Sequence, residues 1–157
     1  LKKVTQGYQS FSSGNSRELI FIDDKKFNFI PLICYEIIYS GKIYPILNDT
    51  SFIINISEDG WFGNSIGPYQ HFSHSIFRAI EEGKNVIRAS NNGISAFIDS
   101  NGVIISKLES TKKGVIEVNN YKKFNETLFS KFGNKIFFYI ILIYVGLIFF
   151  IKRWKNK

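Results

Sequence analysis

A single cysteine, Cys34, closes an apolar run and is followed at once by Tyr35 and Glu36. The end of a buried strand is where α/β sheets present ligand-binding and catalytic groups. A thiol there becomes a good nucleophile once a base or a cation activates it. Glu36 alone is a poor activator, since a nearby negative charge disfavours a thiolate. The same cysteine also reads as a small buried hydrophobe, the commonest fate of a lone cysteine ending an apolar strand. His71 and His74, three residues apart, are the local candidates for a Cys–His arrangement, and Arg78 and Glu82 continue their helix face. Two imidazoles without a third ligand make a weak metal site. No metal or cofactor is expected, and this face is expected to be a partly exposed polar surface.

The elements that must position these residues follow from periodicity and turn signals. Residues 1–18 are polar and read as loop, while Glu18 to Ile22 and Lys26 to Cys34 read as a hairpin turning at Asp23-Asp24. Pro31 inside the second run suggests a bulge or a sheet edge. Glu36 to Leu47 is expected to form a short helix, broken by Gly41 and Pro45, and Phe52 to Ile56 a buried strand. A loop rich in Gly and aromatics precedes a helix whose apolar face is Phe72, Ile76, Ala79 and Ile80, with Pro68 near its start and Gly83 at its end. Four more strands are expected at 85–89, 94–98, 103–107 and 114–118, with turns at Asn92-Gly93 and Asn101-Gly102. Strands and helices in this mixture make an α/β layered domain.

The chain has 157 residues, 45% hydrophobic and 21% charged, enough for one real core and too apolar for disorder. It begins with Leu1 and holds no methionine, so it is expected to be a fragment or processed product. The formal charge of +7 gathers toward the C-terminus around a hydrophobic segment, without a nucleic-acid motif. That segment, Ile136 to Ile151, is 16 residues without a charge, and Lys152, Arg153, Lys155 and Lys157 follow it. As a helix it spans about 24 Å against a hydrocarbon core of about 30 Å. Its apolar residues cover every face, and Tyr139, Tyr144 and Trp154 suit the interface. A membrane span is expected at 135–152, with a basic cytoplasmic tail at 153–157 and the domain at 1–130 on the opposite, periplasmic side.

Three blocks carry a family resemblance: PLICYEII at 31 to 38, NISEDGWFGNSIGPYQHF at 55 to 72, and RASNNGISAFID at 88 to 99. Together they resemble the apolipoprotein N-acyltransferases, a branch of the nitrilase (carbon-nitrogen hydrolase) superfamily, from about Phe11 to the end. The resemblance implies an αββα sandwich carried on the bacterial inner membrane, here only in part. It implies a Glu-Lys-Cys triad with Cys34 as nucleophile. The base glutamate and the catalytic lysine are expected upstream of Leu1, so this chain alone is expected to be inactive. Glu36 matches the glutamate of the family's CYE motif and is expected to support the site, while Tyr35, Trp61 and Phe62 are expected to line the substrate pocket. Glu58 stands where the family commonly has asparagine, which leaves the hydrogen bonding of that loop open.

The implied reaction moves an acyl chain from a membrane phospholipid, through a Cys34 thioester, to the N-terminal amine of an S-diacylglyceryl-cysteine lipoprotein. The implied partners are therefore the phospholipid, the diacylglyceryl apolipoprotein and the bilayer, with no nucleic acid, and the protein is expected to be a monomer. Two rivals remain at this point. One is a nitrilase-type amidase hydrolysing a C–N bond in a small molecule; the other is a non-catalytic membrane-tethered module with Cys34 in its core.

Overall fold

The computed structural model describes residues 16–22, 27–41, 43, 50, 52–119, 121 and 126–155. Six strands form one mixed sheet in sequence order: β1 (Ile20–Ile22), β2 (Phe27–Ile33), β3 (Phe52–Glu58), β4 (Asn85–Asn91), β5 (Ser95–Ile98) and β6 (Ile104–Leu108). Strands β2, β3 and β4 run parallel, and antiparallel neighbours close both sides. The parallel centre arises because β3 and β4 are joined by a crossover through helix α1 (Gly67–Glu82), as parallel pairing requires.

Pro31 fits for a local reason. The register of β1 stops at Phe29, so Pro31 lies past it, on a stretch whose described partner is β3 alone. Its missing N–H is tolerated there as it would be at an edge. The expected hairpin is present, and its turn residues lie outside the described residues.

One sheet face carries the core. Ile30 and Leu32 of β2, Ile53 of β3, Val86 of β4 and Ile98 of β5 meet Phe72 and Ala79 of α1. The other face is aromatic and partly open: Phe27 stacks on Phe52 at 4.6 Å, and Tyr121 meets Phe52 edge-on at 4.8 Å. On that face Ile33 and Ile56 remain exposed. The described residues thus form one helix layer and one sheet layer of the expected sandwich.

Three expectations change. A 3-10 turn, Cys34–Ile38, replaces the start of the helix expected from Glu36; much of the remainder lies outside the described residues. Residues 114–118 form no strand, because β6 is the last strand of the sheet and nothing described pairs beyond it. The inward face of α1 is also wider than the apolar stripe. Phe72, Ile76 and Ala79 pack on the core as expected, whereas Ile80 is 46% exposed and covers the turn at Gly102 (φ +82), where a Cβ would strike its side chain at 2.6 Å. The buried positions include His71, Ser75, Arg78 and Glu82, so the face expected to be partly exposed is mostly inside, with only His74 half-buried. Pro68 and Gly83 (φ +62) bound the helix as expected.

After β6 the chain reaches α2 (Leu128–Phe132) and α3 (Lys135–Lys155). Thr127 caps α2 by accepting from Ser130 N–H at 2.9 Å, and its hydroxyl donates to the Glu81 carbonyl at the end of α1. Asn134 donates to the Ser40 carbonyl at 3.3 Å, and Ser40 donates to the Glu81 carboxylate at 3.0 Å. The base of α3 is therefore bolted to α1 and to the segment following Cys34. Helix α3 is exposed along its length, with mean hydropathy 2.2, and its 21 residues reach about 31 Å. It is long and apolar enough to cross a membrane, and longer than its charge-free stretch alone.

Candidate active site

Cys34 stands at the C-terminal end of β2, where the backbone turns sharply into the 3-10 turn. Its φ is +50°, in the left-handed region that a residue with a Cβ rarely adopts. Such strain survives only where the surroundings enforce it. Glu36 helps to do so, since its Oε2 accepts the Ile33 N–H at 2.7 Å and braces the turn from outside. Arg17 lies 3.6 Å from the other oxygen of that carboxylate.

Beneath the turn lies a buried polar network. Asn55 and Arg88 point to the α1 side of the sheet, because their register places them in line with Leu32 and Ala96. Arg88 donates to the Asn55 side-chain oxygen, to the Ile94 carbonyl at 3.2 Å and to Asp59 Oδ2 at 2.8 Å. Asp59 Oδ1 lies 2.8 Å from His71 Nδ1 and accepts from Ser57 at 3.0 Å. Asn55 donates to the Leu32 carbonyl at 2.9 Å and to the Cys34 carbonyl at 3.3 Å. His71 Nε2 is 3.2 Å from that same Cys34 carbonyl. Ser57 Oγ lies 3.8 Å from Cys34 Sγ, close enough for a weak hydrogen bond to sulfur.

Burial by itself would raise the Asp59 pKa, but the His71 contact and the Arg88 charge more than offset it and hold the carboxyl at about 2. Burial pulls the Arg88 guanidinium below its usual range, and the charge of Asp59, its hydrogen bond and the Cys34 sulfur oppose that. Arg88 is thus a buried cation held by Asp59 in the network beneath the Cys34 turn.

Tyr35 and Phe62 line a cleft of about 510 Å³ with Gln70, His71, His74 and Phe77. The Tyr35 ring is 5.2 Å from His71 and 6.3 Å from Phe62. Trp61 is 62% exposed and does not line that cleft. The Glu58 loop resolves as a clamp: its carboxylate accepts from Gly60 N–H at 2.6 Å and from the side chains of Asn91 and Asn92. Those hydrogen bonds, Asn92 foremost, lower its pKa. His74 lies on the cleft wall, and burial lowers its pKa.

A family match decides what this architecture is. The carbon-nitrogen hydrolase profile matches residues 7–119. The chain belongs to the carbon-nitrogen hydrolase family. It is 45% identical over 129 residues to the apolipoprotein N-acyltransferase of Wigglesworthia glossinidia brevipalpis, covering 80% of this chain and 26% of that one. The Rickettsia bellii (strain RML369-C) protein of the same name is 40% identical, covering 89% of this chain and 29% of its own length. That of Rhizobium rhizogenes is 35% identical over 98% of this chain and 28% of its own. The chain therefore spans between a quarter and a third of these relatives' length. Among solved structures, a CN-hydrolase superfamily protein of Xanthomonas campestris with an arsenic adduct in its active site matches with TM-score 0.50 and 17% identity, covering 66% of this chain and 43% of that one. That likeness supports the fold.

Within this carbon-nitrogen hydrolase chain, the structure brings Cys34, Glu36, Tyr35 and Phe62 to one end of the parallel strands and leaves Trp61 outward. It adds Asn55, Asp59 and Arg88, which sequence reasoning missed. The available signals were an Asn and an Arg inside apolar strands, since buried polar groups need partners.

Proposed function

We propose that the chain is the nucleophile-bearing part of an apolipoprotein N-acyltransferase, with residues 1–130 in the carbon-nitrogen hydrolase domain, 135–152 spanning the membrane and 153–157 as its cytoplasmic tail. One observation carries this reading: Cys34 sits at the strand end in a left-handed turn, in a chain 45% identical to a relative of that name.

In the first half-reaction the Cys34 thiolate attacks the carbonyl carbon of a phospholipid ester. The C–S bond forms, the ester C–O bond breaks, and the lysophospholipid leaves with a proton. In the second, the free α-amine of a diacylglyceryl-cysteine lipoprotein attacks the thioester. The C–N bond forms, the C–S bond breaks and the thiol is restored. The base glutamate and lysine of the triad are supplied by the part of the protein upstream of Leu1. Glu36 supports the site through its bond to the Ile33 N–H, and Tyr35 and Phe62 offer an aromatic wall to the acyl substrate, with Trp61 at the outer rim. Both substrates reside in the bilayer, and α3 tethers the thiol beside it. The domain faces the periplasm of a bacterial inner membrane, with no nucleic-acid partner, and the enzyme acts as a monomer.

The test uses the full-length protein in membranes with acyl-labelled phospholipid. Wild type should form a hydroxylamine-sensitive adduct that Cys34→Ser lacks, and the label should then pass to a diacylglyceryl lipopeptide. An adduct hydrolysed to free fatty acid without transfer would favour an amidase-like hydrolase. No adduct at all would favour a non-catalytic module.

A further inference from the structure

The histidine nearest the nucleophile is not aimed at its sulfur. A carbonyl oxygen only accepts, so His71 Nε2 carries the hydrogen that reaches the Cys34 carbonyl at 3.2 Å. The same rule applies to the ionised carboxylate of Asp59, so Nδ1 donates to Asp59 Oδ1 at 2.8 Å, and Arg88 Nη2, itself a donor, is only a neighbour at 3.2 Å. With both nitrogens engaged, His71 does not form a Cys–His dyad. The residue is 2% exposed and its ring packs against both Tyr35 and Phe62, so neither nitrogen is free to swing outward.

The carbonyl it grips belongs to a backbone that resists its own conformation. A residue with a Cβ at φ +50° relaxes toward negative φ unless something holds the following peptide plane. Two donors from different elements do so here: Asn55 from β3 at 3.3 Å and His71 from α1 at 3.2 Å. Asp59 and Arg88 make the grip rigid, because Arg88 holds Asn55 and Asp59 at once and Asp59 holds His71.

We propose that His71 is a positioning residue for the reaction. Anchored by Asp59 and Arg88, it shares the Cys34 carbonyl with Asn55 and keeps Cys34 in the turn that presents its sulfur. The inference rests on Cys34 being the nucleophile, and it assigns His71 a backbone role in place of proton transfer.

Three variants separate this from a merely structural role. The side-chain amide of glutamine reaches where Nε2 sits, whereas that of asparagine reaches only the Nδ1 position. In the full-length enzyme, His71→Asn keeps the Asp59 contact and loses the donor to Cys34. Its acyl-enzyme formation at saturating phospholipid should fall roughly tenfold to a hundredfold, with KM unchanged. His71→Gln should recover most of that rate. Asn55→Asp, which keeps an acceptor for Arg88 and loses the other donor, should fall as His71→Asn does. Thermal midpoints are read alongside, and iodoacetamide alkylation of Cys34 in the folded protein, followed by mass, should slow in the same order.

Wild-type rates in both His71→Asn and Asn55→Asp would overturn the inference while leaving the nucleophile intact. So would a His71→Asn enzyme faster than His71→Gln, since anchoring to Asp59 would then be what matters. If wild type forms no adduct at Cys34, the nucleophile reading fails and the inference with it.

Discussion

Asp59 and Arg88 meet at 2.8 Å with both side chains out of solvent, linking the loop after β3 to the centre of β4. The pair is the keystone of the polar network under Cys34, because every other member touches one of the two.

Removing one charge of such a pair leaves the other buried and uncompensated. Asp59→Asn should therefore cost on the order of 3–5 kcal/mol, read as a fall in the unfolding midpoint of the full-length protein. The pH dependence has a definite sign. The folded pKa, about 2, lies below the ordinary 3.8, so Asp59 contributes stability that is fully present above about pH 4. That contribution is lost as pH falls toward 2, and the shift is worth roughly 2 kcal/mol. Asp59→Asn should flatten the acid limb of the profile. An unchanged limb would mean that another carboxylate governs it.

Glu82 behaves oppositely. It is wholly buried on α1, and neither side-chain oxygen has a hydrogen-bond partner among the described residues. Burial, then the charge of Glu81, raises its pKa to about 7, with Arg78 and Lys84 opposing. A raised folded pKa contributes stability below about pH 4.5 that is lost as pH rises through 7. Glu82→Gln should thus stabilise the protein at pH 8 by on the order of 3 kcal/mol relative to its effect at pH 5. Equal effects at both values would place the charge elsewhere.

At Gly93 a Cβ would lie 2.0 Å from Asp59 Oδ2 and 2.4 Å from the Ser90 hydroxyl. Gly93→Ala should push Asp59 off Arg88, costing roughly 1–3 kcal/mol and slowing adduct formation at Cys34. Gly146→Ala, facing open space on α3, serves as the control and should leave both unchanged.

The orientation of α3 is tested by labelling. In a Cys34→Ser background, Lys155→Cys should react with a membrane-impermeant maleimide only in inverted vesicles. Lys112→Cys, exposed beyond β6, should react in intact spheroplasts. The reverse pattern would invert the topology set by the basic tail.

Much of this architecture was legible one residue at a time. The hairpin of β1 and β2, the bounds of α1 at Pro68 and Gly83, the turns at Asn92 and Asn101 and the membrane-length segment all follow from local chemistry. The buried side of α1 was legible in part. Phe72, Ile76 and Ala79 pack on the core as their period implies, while Ile80 stays outside and His71, Ser75, Arg78 and Glu82 turn inward as well. Residues 114–118 have the length of a strand but no described neighbour to pair with.

The sequence by itself determined that Cys34 ends an apolar strand beside Glu36, and which family's motifs surround it, because strand periodicity and contiguous motifs are local properties. Only the tertiary structure decided what holds that cysteine. Asn55 lies 21 positions away, His71 37, and Arg88 33 from Asn55. Parallel register between β2, β3 and β4 and the crossover through α1 bring them together. No local pattern encodes a meeting between three elements; hydrogen bonding among groups buried together does.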